Sequence, residues 1–573
     1  MLHVSRTAPG RARSHTAPGR ARSRTARWLV GLVAISLLAG SCGSEPDQKA
    51  QQREGSDKTE ESGLAGAGAP VRGGRIVYGI DAETNGGFCL TDATLAIAGN
   101  LIRNALYDTL TVLDENTEPK PFLARTVTPD AGFTTWTIGL RDGVEFHDGT
   151  DLDATVLKNN LDAYVGRNPD RPAALYPIVL SNIDTITVTG PMTVVVTTKL
   201  PWPALPAWLT TMGIMGQAQL DDAQSCDTNL IGTGPFKLSK WVKDQELLAQ
   251  RNPDYWLIAP DGEPYPYADA VAFRPFPDSQ QGINALDSGE INALFSANPR
   301  DIHGPLTDLR DAEAINLLIT DDHAQVNYLL LNNGKAPFDD ERMRRAVALG
   351  TDREKLNELT NDGLSSVAGQ PFPEGDVGYV DDPGYPGFDP GEAKKLVAQY
   401  VAGGGSAELT ITTTAEPNQV SRVEVLQNML REIGIDVKIR SMDQTTMINE
   451  VLAGNFESVI WSQHAGGDPD LQYVWWHVGM PTNFSRIDDP VINDALDEGR
   501  VETDPDKRRV LYEAVSRRFG EKVYSIWLTY AEWGIGLGRN VHGVFSAELP
   551  DGGGKIFTGL AYGHQIHGMW VTK

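Results

Sequence analysis

The sequence is short of cysteine and of positive charge. Its 573 residues include three cysteines, Cys42, Cys89 and Cys226, so a disulfide-dense scaffold or a cysteine-rich metal centre is excluded. Lysine and arginine number 50 against 76 acidic residues, which gives a formal net charge of −26 at pH 7. A surface of this charge repels nucleic acid and anionic lipid headgroups, so we expect no nucleic-acid partner.

Sequence motifs of catalysis are also missing. The chain has no nucleophile elbow, no phosphate-binding loop and no metalloprotease motif. His147 and Asp148 are adjacent, and His564 and His567 are three residues apart, but both groups lack the further ligands or the nucleophile that a working site needs. We therefore expect no enzyme activity, no cofactor and no metal.

No long hydrophobic run is present, because the apolar stretch at residues 28–40 is too short to span a bilayer comfortably. The segment before it contains no acidic residue. It contains seven arginines: Arg6, Arg11, Arg13, Arg20, Arg22, Arg24 and Arg27. A secretory signal peptide has this order, in which a basic segment is followed by an apolar segment and then by small residues. We therefore assign residues 1–41 to a signal peptide.

The small residues end in Ala39-Gly40-Ser41-Cys42, which resembles a bacterial lipobox. The resemblance implies a lipoprotein in which acylated Cys42 anchors the chain to the outer face of the cytoplasmic membrane. The alternative is an ordinary cleaved signal peptide in which Cys42 has no role. Residues 42–72, rich in small and polar residues, predict a flexible tether. Outside the cytoplasm, Cys89 and Cys226 are most simply a disulfide, and the alternative is two free buried thiols.

The rest of the chain is too long for one hydrophobic core, so two or three lobes are expected. Strand patterns at residues 409–413 and 435–439 flank a helical pattern at 420–433, which predicts a βαβ unit with parallel strands. Further strands are predicted at residues 136–140, 185–188 and 192–197. The fold class is therefore α/β with more than one sheet.

Four sequence blocks occur in a fixed order. They are Trp136 to Gly149 (WTIGLRDGVEFHDG), Gly232 to Phe236 (GTGPF) followed by RNPDYW at 251–256, Ala336 to Asp340 (APFDD) running into RMRRA and TDR, and Gly466 to Asp470 (GGDPD). In this order they resemble the extracellular solute-binding proteins of family 5, the oligopeptide, dipeptide and nickel class that serves ABC importers. The resemblance covers about residues 74–544.

The resemblance implies a periplasmic-binding-protein-like type II fold, with two lobes and an additional domain inserted in the first. The expected first lobe comprises residues 73–106, 199–333 and 528–573, the inserted domain 107–198, and the second lobe 334–527. The implied function is a monomeric receptor that encloses a small-molecule or short-peptide ligand, with oligopeptide favoured, and delivers it to an ABC permease. An oligosaccharide receptor and a non-transporting envelope sensor are the alternatives. Among possible ligands, nickel is the least favoured. Among possible functions, a hydrolase is a distant third, after a transport receptor and a sensor.

The candidate ligand-binding residues lie just after predicted strands, on both lobes. They are Glu83, Asn85, Phe88, Trp461, Gln463, His464, Asp468 and Trp475. Exposed tryptophans beside amide and imidazole groups suit a polar ligand with flat apolar faces. Trp475 and Trp476 are treated as neighbours on a strand, where one of them faces a given side.

The resemblance also exposes a departure. Peptide-binding members hold the ligand's ammonium group with an aspartate three residues before an acidic-Pro pair. That pair is Asp468-Pro469 here, and the matching position is Ala465. Either another acid replaces it, for which Asp468, Asp470, Glu83 and Asp81 are the candidates, or the ligand is not a free-amine peptide.

Overall fold

The computed structural model describes residues 67–82, 87–93, 95–171, 173, 176–321, 325–463, 467–557, 559 and 563–573. The described residues belong to one compact unit. Across these ranges, no helix is both long and apolar enough to cross a bilayer. The predicted signal peptide and Cys42 lie outside the described residues, as does most of the predicted tether.

The strands, numbered in chain order, are β1 (Arg75–Ile80), β2 (Thr111–Leu113), β3 (Pro119–Pro121), β4 (Ala124–Pro129), β5 (Thr135–Leu140), β6 (Ile183–Gly190), β7 (Thr193–Thr198), β8 (Phe236–Val242), β9 (Glu246–Arg251), β10 (Ala270–Pro275), β11 (Ala293–Ser296), β12 (Ile315–Thr320), β13 (Val326–Leu331), β14 (Glu408–Thr414), β15 (Asp436–Met442), β16 (Ser458–Gln463), β17 (Ser525–Tyr530), β18 (Trp533–Gly538), β19 (Val541–His542) and β20 (Trp570–Val571).

The α-helices are α1 (Ile97–Leu106), α2 (Ala154–Tyr164), α3 (Tyr176–Val179), α4 (Leu205–Leu209), α5 (Gln217–Asp221), α6 (Ser279–Asp287), α7 (Pro299–Asp301), α8 (Thr307–Asp311), α9 (Glu341–Gly350), α10 (Arg353–Asn361), α11 (Pro390–Ala402), α12 (Pro417–Glu432), α13 (Gln444–Leu452), α14 (Tyr473–Trp476), α15 (Pro490–Val501) and α16 (Pro505–Lys522). A π-helical turn (Ile302–Leu306) and a 3₁₀ turn (Pro469–Gln472) complete the helical segments.

The first lobe is built on a seven-stranded sheet of order β12-β18-β11-β1-β10-β9-β8. β1 lies near its centre and is parallel to both neighbours, β10 and β11. Ile76, Tyr78 and Ile80 of β1 are buried, as expected for a strand covered by other elements. A disulfide between Cys89 and Cys226, with the Cα atoms 4.7 Å apart, fastens the chain that follows β1 to this lobe.

A separate four-stranded sheet, of order β4-β5-β7-β6, contains the strands predicted at residues 136–140, 185–188 and 192–197. All its pairs are antiparallel. Trp136, Ile138 and Leu140 of β5 are buried and alternate with less buried residues, which is the pattern of a sheet that covers a core on one face.

The second lobe is built on a five-stranded sheet of order β15-β14-β16-β13-β17. β14, helix α12 and β15 follow one another, and β14 and β15 are parallel, so the predicted βαβ unit is confirmed. Val423, Leu426 and Leu430 form the buried face of α12. Glu416 caps this helix by accepting hydrogen bonds from the backbone amides of the first turn.

The chain passes between the two lobes twice, from β12 to β13 and from β17 to β18. The ends of these strands are paired within each sheet, Thr320 with Trp533 in the first and Val326 with Tyr530 in the second. We call the two connections, residues 321–325 and 531–532, the hinge. The mixed sheets, the two lobes and the double connection between them agree with the expected α/β architecture. The exact domain boundaries given above remain a prediction.

Candidate ligand-binding cleft

The carboxyl ends of the parallel strands in both sheets lie on the side of the hinge. In the first sheet, Ser296 at the end of β11 pairs with Gly534, next to the hinge. In the second sheet, Gln463 at the end of β16 pairs with Val326, which directly follows the hinge. The carboxyl ends of parallel strands are where open α/β sheets bind ligands. The space between these two edges is therefore the candidate cleft.

Several predicted site residues follow these strand ends, but not all are described. Glu83, Asn85 and His464 lie outside the described residues, as does Ala465. The structure describes Phe88, Trp461, Gln463, Asp468 and Trp475.

Phe88 is buried in the first lobe. It has no exposed surface, and its ring lies 5.6 Å from the ring of Trp241. Its backbone N–H donates to the carbonyl of Cys226 over 2.6 Å. The predicted ligand contact therefore has no surface in this conformation, because the disulfide-anchored backbone directs the ring into the core.

Trp461 and Trp475 lie in one aromatic cluster. Both are half-buried, and each ring contacts Phe484 edge to face with centroids 5.6 Å apart. The treatment of Trp475 and Trp476 as strand neighbours was wrong, because both belong to the short helix α14. Helical geometry directs Trp476 into the core, where it packs on Phe519, and leaves Trp475 partly accessible.

Gln463 is buried and engaged within its own lobe. Its Oε1 accepts a hydrogen bond from the hydroxyl of Tyr328 over 3.1 Å, and its Nε2 donates to Gln472. Because both ends of the amide are used, Gln463 fixes the end of β16 and offers little to a ligand in this conformation.

Asp468 carries its own counter-ion. The guanidinium of Arg508 donates to both carboxylate oxygens, with a distance of 2.7 Å to Oδ2. Asp468 also accepts from the backbone N–H of Asp470 over 2.8 Å and so caps the 3₁₀ turn. Burial acts to lower the pKa of Arg508, but Asp468 more than offsets this and the pKa is raised. A carboxylate used in this way is a poor receptor for a ligand's ammonium group.

Asp470 joins the two lobes. It is fully buried, and its Oδ2 accepts hydrogen bonds from the indole N–H groups of Trp202 over 3.0 Å and Trp208 over 2.8 Å. Both tryptophans belong to the apolar cluster of the first lobe. Arg500 of the second lobe donates to Oδ1 over 2.9 Å. Burial acts to raise the pKa of Asp470, but Arg500 and the indoles outweigh it and the pKa is lowered.

A second contact between the lobes lies near α7. Arg300 donates to the carboxylate of Asp362 over 3.1 and 3.2 Å and to the carbonyl of Leu359 over 2.6 Å. On the hinge, Glu532 contacts the Nε2 of His303 at 2.6 Å. The Asp470 and Arg300 interactions therefore both join the first lobe to the second.

Sequence reasoning missed Trp202, Trp208, Arg422 and Arg500. The indole donors lie more than 260 positions before Asp470 in the chain, so no local pattern relates them to it. Arg422 could have been found from the sequence, because it lies in the first turns of a helix that follows a parallel strand. Such a position is near the edge of the sheet where α/β proteins bind ligands. Among the described residues, no cluster of three or more His, Cys, Asp or Glu side chains could hold a metal ion.

Comparison with known proteins agrees with this architecture. The profile of the family described as bacterial extracellular solute-binding proteins, family 5 (middle part), matches residues 118–485. The chain belongs to this family. Like other family 5 proteins, it is an extracellular solute-binding protein by fold and by sequence.

Two named relatives illustrate the similarity. The oligopeptide-binding protein AppA of Bacillus subtilis is 25% identical over 525 residues, which cover 85% of this chain and 92% of AppA. The glutathione-binding protein GsiB of Salmonella paratyphi A is 27% identical over 356 residues, which cover 61% of this chain and 66% of GsiB.

Solved structures of family 5 type share the fold. AppA of Bacillus subtilis in complex with a nonapeptide aligns with a TM-score of 0.77 and 22% identity, over 88% of this chain and 100% of AppA. AgaA of A. tumefaciens R10 in complex with agropinic acid aligns with a TM-score of 0.77 and 23% identity, over 87% of this chain and 99% of AgaA.

Proposed function

We propose that this protein is the substrate-binding receptor of an ABC importer and that it encloses a short peptide between its two lobes. The similarity to an oligopeptide-binding protein over 92% of that protein's length is the observation that carries the proposal. The cleft geometry supports it, because two sheets present their carboxyl-end edges to one hinge.

The lobes close through contacts that a ligand would complete. Asp470 and Arg300 each form contacts between the second lobe and the first. Closure over a bound solute buries the ligand and collects polar contacts from both sides. A membrane permease would then recognise the closed form. An extended peptide would add main-chain hydrogen bonds, which tolerate many side chains.

We also propose that residues 1–41 are a cleaved signal peptide and that acylated Cys42 holds the receptor at the outer face of the cytoplasmic membrane. The receptor would work as a monomer beside its permease. Metabolic labelling with a palmitate analogue, in the wild type and in Cys42→Ala, tests the anchor. Label in the wild type alone supports the lipoprotein assignment, and equal labelling contradicts it.

One observation favours a second cargo. Trp461, Trp475 and Phe484 form an aromatic cluster with accessible tryptophan surface, which suits the flat faces of a sugar. An oligosaccharide is therefore the second candidate, and the same experiment separates the two.

The full chain, purified in mild detergent, is denatured and its released small molecules are identified by mass spectrometry. A ladder of short peptides, together with a rise in melting temperature when a pool of tri- to pentapeptides is added, supports peptide import. A carbohydrate in the released fraction, or stabilisation by glycans and not by peptides, overturns the peptide assignment. The surface variant Asp142→Asn, whose side chain is 78% exposed, is the control and should carry the same ligands.

A further inference from the structure

On each lobe, one charged side chain without an ion-pair partner among the described residues lies shortly after the carboxyl end of a parallel strand in the chain. They are Asp81, which directly follows β1, and Arg422, in the second turn of α12. We infer that Asp81 receives a cationic group of the ligand and Arg422 an anionic group, so that the cleft selects a zwitterion with its ammonium end at the first lobe. This inference rests on the proposed function and adds the polarity and orientation of the ligand.

Asp81 is accessible to solvent although protein surrounds it. The residue is exposed, and nearby protein desolvates the carboxylate enough to raise its pKa, although the backbone amides of Asp81 and Ala82 act to lower it. Its position at the carboxyl end of a central parallel strand directs it towards the cleft.

Arg422 points towards the same space from the other side. Helical side chains incline towards the helix N-terminus, and Nη1 of Arg422 donates to Oε1 of Gln419, one turn earlier, over 3.2 Å. That end of α12 follows the carboxyl end of β14, so the guanidinium extends towards the cleft edge of the sheet.

The charge of Arg422 is not neutralised by the protein. Burial lowers its pKa, and the one acid that opposes this is Glu416. The carboxylate of Glu416 caps the helix by accepting from the amides of Asn418 and Gln419 over 3.1 and 2.9 Å, and it forms no ion pair with Arg422. A guanidinium keeps its charge even when buried, so a carboxylate on the ligand would offset a real desolvation cost.

The second lobe's acids do not compete for the ligand's ammonium group. Asp468 is paired with Arg508, and Asp470 with Arg500. A third carboxylate, that of Asp376, has an Oδ2 that is buried without a hydrogen-bond partner and so presents no reachable surface at that oxygen. Asp81 is an accessible carboxylate near the described part of the cleft, on the first lobe and at the end of its central strand.

Neutral hydrogen-bonding groups without a partner lie near the carboxyl end of β14 and on the hinge. The hydroxyls of Thr412 and Thr413, near the carboxyl end of β14, are buried without a partner, as is Oε1 of Gln325 on the hinge. Buried polar atoms in native proteins are almost always satisfied, so these three atoms are suited to the polar middle of a ligand or to water that bridges it.

The test measures binding of a defined pool of tri- to pentapeptides in four forms: free, N-acetylated, C-amidated and blocked at both ends. Retained peptides are quantified by mass spectrometry for the wild type, Asp81→Asn and Arg422→Gln. We expect the wild type to prefer free peptides at least tenfold over either blocked form. Asp81→Asn should abolish the preference for a free amino end and keep the preference for a free carboxyl end. Arg422→Gln should do the opposite.

The surface pair Arg125 and Asp142, 3.8 Å apart and largely exposed, supplies matched controls. Arg125→Gln and Asp142→Asn remove the same charges and should leave both preferences intact. Asp81→Glu should restore the amino-end preference, which a purely structural role of Asp81 would not require. Asp376→Asn should also leave the amino-end preference intact.

Three outcomes are distinguishable. If the wild type retains no peptide in any form, the proposed function fails and the inference fails with it. If it retains peptides but with the preferences unchanged in Asp81→Asn and Arg422→Gln, peptide binding stands and the assignment of the two charges is overturned. If Asp81→Asn instead removes the carboxyl-end preference, the proposed orientation is reversed and therefore wrong.

Discussion

Asp470 is buried between the lobes and Asp81 is exposed after β1, and the two carboxylates differ in what the chain provides for them. Asp470 lies between the lobes with a guanidinium and two indole donors, and its pKa is lowered. Asp81 follows β1; burial raises its pKa, and among the described residues only backbone amides act to lower it. The chain neutralises the charge that holds the lobes together and leaves unneutralised the charge that faces the cleft.

Asp108 shows that the cation is what decides the difference. It is as buried as Asp470 and also has aromatic donors, Trp256 at 2.9 Å and Tyr255 at 3.1 Å, with Thr233 at 3.0 Å. The structure describes no arginine partner for it, and burial raises its pKa to about 6 despite these bonds. Neutral donors satisfy a buried carboxylate geometrically but do not fully replace a counter-ion.

The largest effect is expected from Arg500→Met, which gives Asp470 the environment of Asp108. An uncompensated buried charge should lower the free energy of unfolding by about 3–5 kcal/mol. Urea unfolding followed by far-UV circular dichroism measures it. The control Arg509→Met, on an exposed ion pair, should change stability by less than about 1 kcal/mol. Equal stabilities of the two variants would show that the Asp470 contact does not hold the lobes.

Asp468→Asn should have a smaller effect, because Asp468 lies nearer the surface and keeps an oxygen for the cap. Losing a charge-assisted bond to Arg508 should cost about 1.5–3 kcal/mol. The same variant should bind the peptide pool like the wild type. A loss of binding without a loss of stability would instead make Asp468 a ligand receptor.

Asp376→Asn should affect stability in a pH-dependent way. Burial raises the pKa of Asp376 to about 6, above the value of about 3.9 expected in the unfolded chain, so the folded state binds the extra proton between these values. Stability is then lost as pH rises from about 4 to 6. The variant should be more stable than the wild type at pH 7.5 by about 3 kcal/mol and equal to it at pH 3.5. Parallel urea titrations at the two pH values check this, and a pH-independent difference would contradict it.

The smallest effect on folding is expected from Asp81→Asn, which removes a charge that the protein does not neutralise. We expect its melting temperature to stay within about 2 °C of the wild type, or to rise slightly, because less than about 1 kcal/mol is involved. A large loss of stability, measured by differential scanning fluorimetry, would show that Asp81 has a structural partner after all.

Much of the scaffold could be predicted because its signals are local. The β14–α12–β15 unit follows from strand patterns, a helical repeat ending at Leu430 and a short loop. The contacts of Asp470 could not be predicted, because they join Trp202, Trp208 and Arg500 across the lobe interface, and packing of distant segments leaves no periodic trace. Trp475 was misplaced on a strand because four residues are too few to distinguish the period of a strand from that of a helix.

The central claim is that an enclosed ligand neutralises Asp81 and Arg422, which have no ion-pair partner in the part of the chain that the structure describes. A crystal structure of the full chain with its co-purified ligand tests this most directly. The account predicts a cationic group of the ligand within hydrogen-bond distance of the Asp81 carboxylate and an anionic group at the Arg422 guanidinium, with Asp468 and Asp470 still bound to their arginines. A ligand held by Asp468 or Asp470, with Asp81 and Arg422 facing solvent, would contradict it.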